Sequence, residues 1–138
     1  MGVILDTSLL IGAERGTVRI EDLLNSLGDE PVAISAITAS ELLHGCLRAG
    51  SAGVRVRRLA FVEALLDVIP VAGFGLGEAR RHAELWAELL GEGAPIGPHD
   101  MLIGATALAR GDTLATLNVR EFQRIAGLRL LPVEPFLT

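Results

Sequence analysis

Lysine is absent from this chain, and all twelve of its basic residues are arginine. That excludes a P-loop, Schiff-base chemistry and every other mechanism that needs an ammonium side chain. Cysteine occurs once, as Cys46, and no His or Cys residues stand at metal-ligand spacing, so neither an internal disulfide framework nor a structural zinc module is available. Aromatics are few, four Phe and one Trp, which leaves little for stacking on single-stranded bases. Long apolar runs are missing too. Mean hydropathy is +0.47, yet no stretch free of Asp, Glu and Arg exceeds ten residues, far short of the ~20 needed to cross a bilayer. The opening Met1-Gly2-Val3-Ile4-Leu5-Asp6 meets an acid at once and has no basic n-region, so no signal peptide is expected and the cytoplasm is the expected location. A formal charge of −5 argues against holding nucleic acid by bulk charge alone.

What is present is an alternation. At 138 residues the chain has the length of one domain with a core that needs no staples. Short apolar runs at 3–5, 31–34, 68–71, 113–116 and 128–133 read as strands. Amphipathic or apolar stretches at 7–13, 20–27, 35–49, 54–66, 78–90, 100–110 and 121–126 read as helices. The segment from Asp100 to Arg110 is apolar on nearly every face, so it is expected to be buried, with Gly104, Ala105, Ala107 and Ala109 allowing close approach to a sheet. The pattern predicts an α/β domain over residues 1–138 with a mainly parallel five-stranded sheet flanked by helices. In such sheets ligands gather at the carboxyl ends of the strands.

Acids stand at those ends. Asp6 closes the first strand, Glu41 lies early in the helix after the second, and Asp100 opens the buried helix before the fourth, which Thr116 and Asn118 follow directly. Carboxylates gathered in one cleft repel one another unless protonated or neutralised, and hard oxygen ligands suit Mg²⁺ or Mn²⁺. A cation so held activates a water and offsets charge on a phosphate, which points to phosphodiester hydrolysis. Each residue also has a plainer reading. Asp6 fits an N-cap, Thr38-Ala39-Ser40-Glu41 fits a capping box, and Asp100 fits a cap of its helix. The apolar surroundings of Asp6 and Asp100, taken jointly, favour the metal.

Four pieces in order carry a family resemblance: Val3-Ile4-Leu5-Asp6-Thr7-Ser8; Ile34-Ser35-Ala36-Ile37-Thr38-Ala39-Ser40-Glu41-Leu42 with Gly45; Ile96-Gly97-Pro98-His99-Asp100 with Ala105 and Ala107; and Thr116-Leu117-Asn118-Val119-Arg120-Glu121-Phe122. In these the chain resembles the PIN-domain nucleases, and most closely the bacterial VapC-type toxins, over nearly its whole length. The resemblance implies a three-layer sandwich and a site in which Asp6, Glu41 and Asp100 hold Mg²⁺ or Mn²⁺. Asn118 would stand where many PIN domains have a fourth acid, with Glu121 nearby, and Thr7, Ser8 and Thr116 would orient the ligands. It further implies an endoribonuclease acting on translation RNAs such as tRNA or rRNA, a homodimer, and a VapB-type antitoxin partner.

Other signals stand beside this one. Arg48, Arg55, Arg57 and Arg58 lie within residues 42–62, which contain no acid, and read either as an RNA-phosphate patch or as a solvated helix face. His44 shares the helix face of Glu41, whereas His99 reads as a loop residue and His82 as structural. Leu9, Leu10, Ile11, Leu23, Leu24, Leu42, Leu43 and Leu47 suffice for core and for an antitoxin groove. Gly73-Phe74-Gly75-Leu76-Gly77 lacks the third glycine of a dinucleotide fingerprint, since Glu78 stands there. Ser8 replaces the second aspartate of a dehalogenase-type phosphatase, and a receiver domain would need a lysine. The alternatives to a nuclease are a catalytically weak PIN-like RNA- or protein-binding module and a metal phosphatase for small esters.

Overall fold

A computed structural model describes residues 2–93 and 96–138. Four short strands, β1 (Val3–Leu5), β2 (Val32–Ser35), β3 (Val71–Ala72) and β4 (Thr113–Ala115), form one sheet in the order β3-β2-β1-β4, every pairing parallel. The helices are α1 (Thr7–Arg15), α2 (Ile20–Ser26), α3 (Ala36–Leu47), α4 (Ala52–Val68), α5 (Leu76–Glu92), α6 (Pro98–Arg110) and α7 (Val119–Phe122), with a closing 3₁₀ turn at Glu134–Phe136.

Strand period sorts the core into two layers. Successive side chains point to opposite faces, and the wholly buried Val3-Ile4-Leu5 sends Val3 and Leu5 into one cluster and Ile4 into the other. Ile34 and Ala33 divide the same way, as do Ala115 and Leu114. The first cluster packs β1 and β2 against α1 to α4 through Leu9, Leu10, Leu23, Leu42, Cys46 and Val62. The second packs the other face against α5, α6 and α7 through Leu85, Leu89, Ile103, Ala105 and Phe122. This is the expected three-layer sandwich. The apolar helix α6 is buried as its composition requires, with Met101, Ile103, Ala105, Thr106 and Ala107 all covered. Gly104 permits the approach, since a Cβ there would stand 2.6 Å from Ile125 Cδ1.

Several boundaries differ from the sequence expectation: the helix expected over 121–126 is α7 at Val119–Phe122, and that expected over 78–90 is α5 at Leu76–Glu92. The helix expected over 54–66 runs on to Val68, and the strand expected at 68–71 is instead β3 at Val71–Ala72. Pro70 sets that break: the residue before a proline is driven out of helical geometry, and Ile69 is extended at φ −107°, ψ 120°. The fifth strand, expected over 128–133, reduces to a single parallel bridge, Leu114 with Leu130. In β4, Thr113 donates to Gly2 O and Ala115 accepts from the Asp6 amide, so both ends face β1. Only Leu114 is left to pair outward, to Arg129 O and Leu131 N. A three-residue strand offers its outer neighbour one residue, so the sheet has four strands.

Candidate active site

The topological switch lies at β1, which takes β2 on one side and the much later β4 on the other. The carboxyl ends of these strands therefore bring residues from four chain segments to one edge, as open parallel sheets do. Asp6, Thr7, Ser8, Ile11, Glu41, Asp100, Leu117 and Asn118 line a cleft there of about 410 Å³.

Asp6 is both cap and site residue. It is the N-cap of α1, yet only 3 % exposed. Its Oδ2 accepts from the Ser8 hydroxyl (2.6 Å), the Thr116 hydroxyl (2.8 Å) and the Ser8 amide (3.3 Å). These hydroxyls are themselves fixed, because Ser8 Oγ accepts from the Leu117 amide (3.0 Å) and Thr116 Oγ1 from the Asn118 amide (2.8 Å). Among the described residues no donor reaches Asp6 Oδ1. A buried carboxylate held rigidly through one oxygen keeps the other for a ligand.

Glu41 stands in the second turn of α3, not in a capping box. The cap of α3 is Ser35, whose Oγ accepts from the Thr38 amide at 3.0 Å, so the expected Thr38–Glu41 box is not formed. Thr38 instead turns its buried hydroxyl to Thr7 Oγ1 at 2.9 Å, and Thr7 donates to Glu41 Oε1 at 2.7 Å. Glu41 Oε2 lies 3.3 Å from His99 Nδ1. His99, expected as a mere loop residue, sits instead in the first turn of α6 and touches a site acid. Its place immediately before Asp100 was the available signal. His44 is exposed on α3.

Asp100 sits in the first turn of α6, whose N-cap is Gly97, so it does not cap the helix. Its Oδ2 accepts from Asn118 Nδ2 at 3.0 Å. Burial pushes its carboxyl up to about 6, and the charges of Asp6 and Glu41 add to the rise, while the Asn118 hydrogen bond opposes it and Glu121 adds slightly. Asp6 and Glu41, distant in sequence, therefore bear electrostatically on Asp100 across one cleft. Glu121 itself lies off the cleft and pairs with Arg124 at 3.7 Å.

The donor set is all oxygen. Among the described residues no group of three or more His, Cys, Asp or Glu side chains stands close enough together to hold a metal ion by itself. An open set suits Mg²⁺ or Mn²⁺, which bind through one or two carboxylates and keep several waters, and a cation would offset the burial cost and the repulsion that together raise Asp100. The residues fit such an ion. Of the four arginines singled out in sequence, Arg48, Arg55 and Arg57 are exposed and off the cleft, while Arg58 pairs with Glu14 at 3.3 Å beside it. A larger hollow of about 500 Å³ between α5 and α6 is walled by Trp86, Leu89, Leu90, Met101 and neighbours without a carboxylate, and offers no comparable chemistry.

Comparison with known proteins identifies the family and the fold. The model of the PIN domain family matches residues 3–128. Ribonuclease VapC1 of Rickettsia felis is 40 % identical over 133 residues, covering 96 % of this chain and 97 % of the relative. The tRNA(fMet)-specific endonuclease VapC of Shigella flexneri is 35 % identical over 104 residues, 75 % of this chain and 76 % of the relative. Among solved structures, VapBC2 from Rickettsia felis, crystallised on a DNA fragment from its promoter, superposes with a TM-score of 0.87 at 28 % identity, covering 95 % of this chain and 98 % of that one. With family model, relatives and fold in accord, the chain belongs to the PIN-domain family, among its VapC-type ribonucleases.

Proposed function

We propose that this chain is a Mg²⁺- or Mn²⁺-dependent endoribonuclease, the toxin of a type II toxin–antitoxin pair, that cuts a structured translation RNA, tRNA or rRNA, in the cytoplasm. The observation that carries the reading is the convergence of Asp6, Glu41 and Asp100, from three separate chain segments, on one cleft, where burial and the neighbouring charges push Asp100 up to about 6, since an enzyme that keeps costly acids together has a use for the field they make. Asp6, Glu41 and Asp100 would hold the ion. When bound, it supplies Lewis acidity toward the phosphate and an activated water.

The remaining residues of the site hold these acids in place. Ser8 and Thr116 clamp one oxygen of Asp6, Thr7 fixes Glu41, and the Asn118 amide holds Asp100 Oδ2. Such supports are worth 10–100-fold in affinity or activity by general experience with metal sites. Asn118 contributes an amide where a further acid would add a negative charge, which favours one firmly held ion. Relatives named for RNA cleavage support the substrate class. A solved VapBC assembly supports a VapB-type antitoxin as partner, and the toxin is proposed to act as a homodimer. Ile11, 36 % exposed at the cleft wall, and Leu47, 69 % exposed, are the parts of the expected leucine-rich seat that remain open, whereas Leu9, Leu10, Leu23 and Leu42 are core. Among the described residues no helix is long and apolar enough to cross a membrane.

The test is cleavage of a tRNA and rRNA pool by the purified chain with Mn²⁺, with Mg²⁺ and with EDTA. Cutting in either metal, abolished by chelation and by Asp6→Asn or Asp100→Asn in folded protein, is expected. Normal cutting by both variants would refute the assignment.

A further inference from the structure

The cleft continues past Glu41. A narrower groove of about 150 Å³ runs on between α1, α3 and α4 and shares Ile11 and Glu41 with it. There basic side chains join the acids, because Arg15, from the last turn of α1, and Arg58, from α4, line the groove alongside Glu14 and Glu41. Arg58 Nε lies 3.3 Å from Glu14 Oε1, a pair whose side chains are 40 % and 27 % exposed. Arg15 has no ion-pair partner among the described residues. Leu42, Cys46 and Val62 form the floor, each at most 5 % exposed.

We infer that this groove is the phosphate track of the substrate strand, in which Arg15 and Arg58 hold phosphates flanking the scissile one and Glu14 occupies Arg58 until RNA arrives. The inference rests on the RNA reading above and gives it a direction. An RNA strand entering a cleft of three carboxylates is repelled, and a chain of charge −5 offers no general attraction to offset this. Guanidiniums suit phosphate because they donate in a planar fork, and the apolar floor strengthens that attraction relative to water. The opposite wall, at Leu117 and Asn118, carries no arginine, so the strand is held from the Glu41 side. An ion pair as exposed as Glu14–Arg58 contributes little and is readily exchanged for a phosphate. Arg48, Arg55 and Arg57 stand outside this path.

The test is cleavage of a tRNA pool by the full chain in Mn²⁺ across a series of NaCl concentrations. Arg15→Ala and Arg58→Ala are each expected to raise KM and to reduce the slope of log(kcat/KM) against log[NaCl] by about 0.7–0.9, one phosphate contact each, with kcat within about twofold. Arg58→Lys should recover part of the loss and Glu14→Gln should lower KM, while Arg80→Ala on α5 changes nothing. Wild-type KM and salt slope in both alanine variants would overturn the proposal, including the case in which they lose only their grip on an antitoxin and so mark the groove as a protein seat. Failure of the RNA reading looks different, because the unmutated chain would then cut no RNA in either metal, and the track would fall with it.

Discussion

Replacing Asp100 by asparagine should stabilise the metal-free protein while abolishing its cleavage. The carboxyl is pushed up to about 6 from an ordinary 3.8, first by burial and then by Asp6 and Glu41. Its ionised form is therefore worse off in the folded chain than in the unfolded one. A shift of this size corresponds to about 3 kcal/mol if unscreened, and partial solvent exposure reduces it to about 1–2 kcal/mol. The sign follows from linkage. Below the unfolded value both states are protonated and there is no penalty. As pH rises from about 4 to about 6 the unfolded chain gives up its proton first, so the penalty grows, reaching its full size above the folded value. Asparagine keeps an oxygen for the Asn118 amide and carries no charge. In EDTA near neutral pH, Asp100→Asn should melt about 3–8 °C above the unmutated chain, and by about pH 4 the two should nearly coincide. Scanning calorimetry at both pH values decides the matter. Equal or lower melting of the variant near neutrality would show that Asp100 is not strained by its neighbours.

Other outcomes follow from the same contacts. Mn²⁺ should raise the melting temperature of the unmutated chain more than that of Asp100→Asn, and a differential scan with and without the metal reads this directly. Thr116→Val withdraws a buried donor from Asp6 Oδ2 and an acceptor from the Asn118 amide. It should cost about 1–3 kcal/mol in urea unfolding and lower cleavage about 10–100-fold. Ile103→Ala, at a fully buried position in the second core cluster, should cost about 2–5 kcal/mol with its kcat intact in whatever folds. Gly12→Ala would set a Cβ 2.6 Å from Val18 Cγ2, a stiff β-branched neighbour. A loss of about 1–3 kcal/mol is expected, and a gain would show that the α1 end repacks freely.

Much of the site was legible because its acids sit where period and burial conflict. Asp6 ends an apolar run, and Asp100 opens a helix with no polar face, so each demanded a reason beyond capping. The α/β class and the mainly parallel sheet were legible from the alternation, and the three-layer arrangement from the family resemblance. What escaped were details fixed by tertiary neighbours. The capping box at Thr38–Glu41 satisfied every local rule, but Ser35 stood three residues nearer the strand end and took the cap, freeing Thr38 for Thr7. The fifth strand had a convincing apolar run, yet its pairing depended on how much of β4 was left to bond, which no local pattern reveals. His99 meets Glu41 across 58 positions of chain, a distance over which periodicity says nothing.

The double duty of Asp6 has an evolutionary corollary. One carboxylate pins the first turn of α1 and the Thr116 loop while also facing the cleft, whereas Asp100 tethers only an amide. A lineage pressed to silence its own poison can thus lose Asp100 and gain a sturdier fold, but loses Asp6 only at the expense of folding. Degenerate copies in genomes should carry their lesions at the former position more often than at the latter.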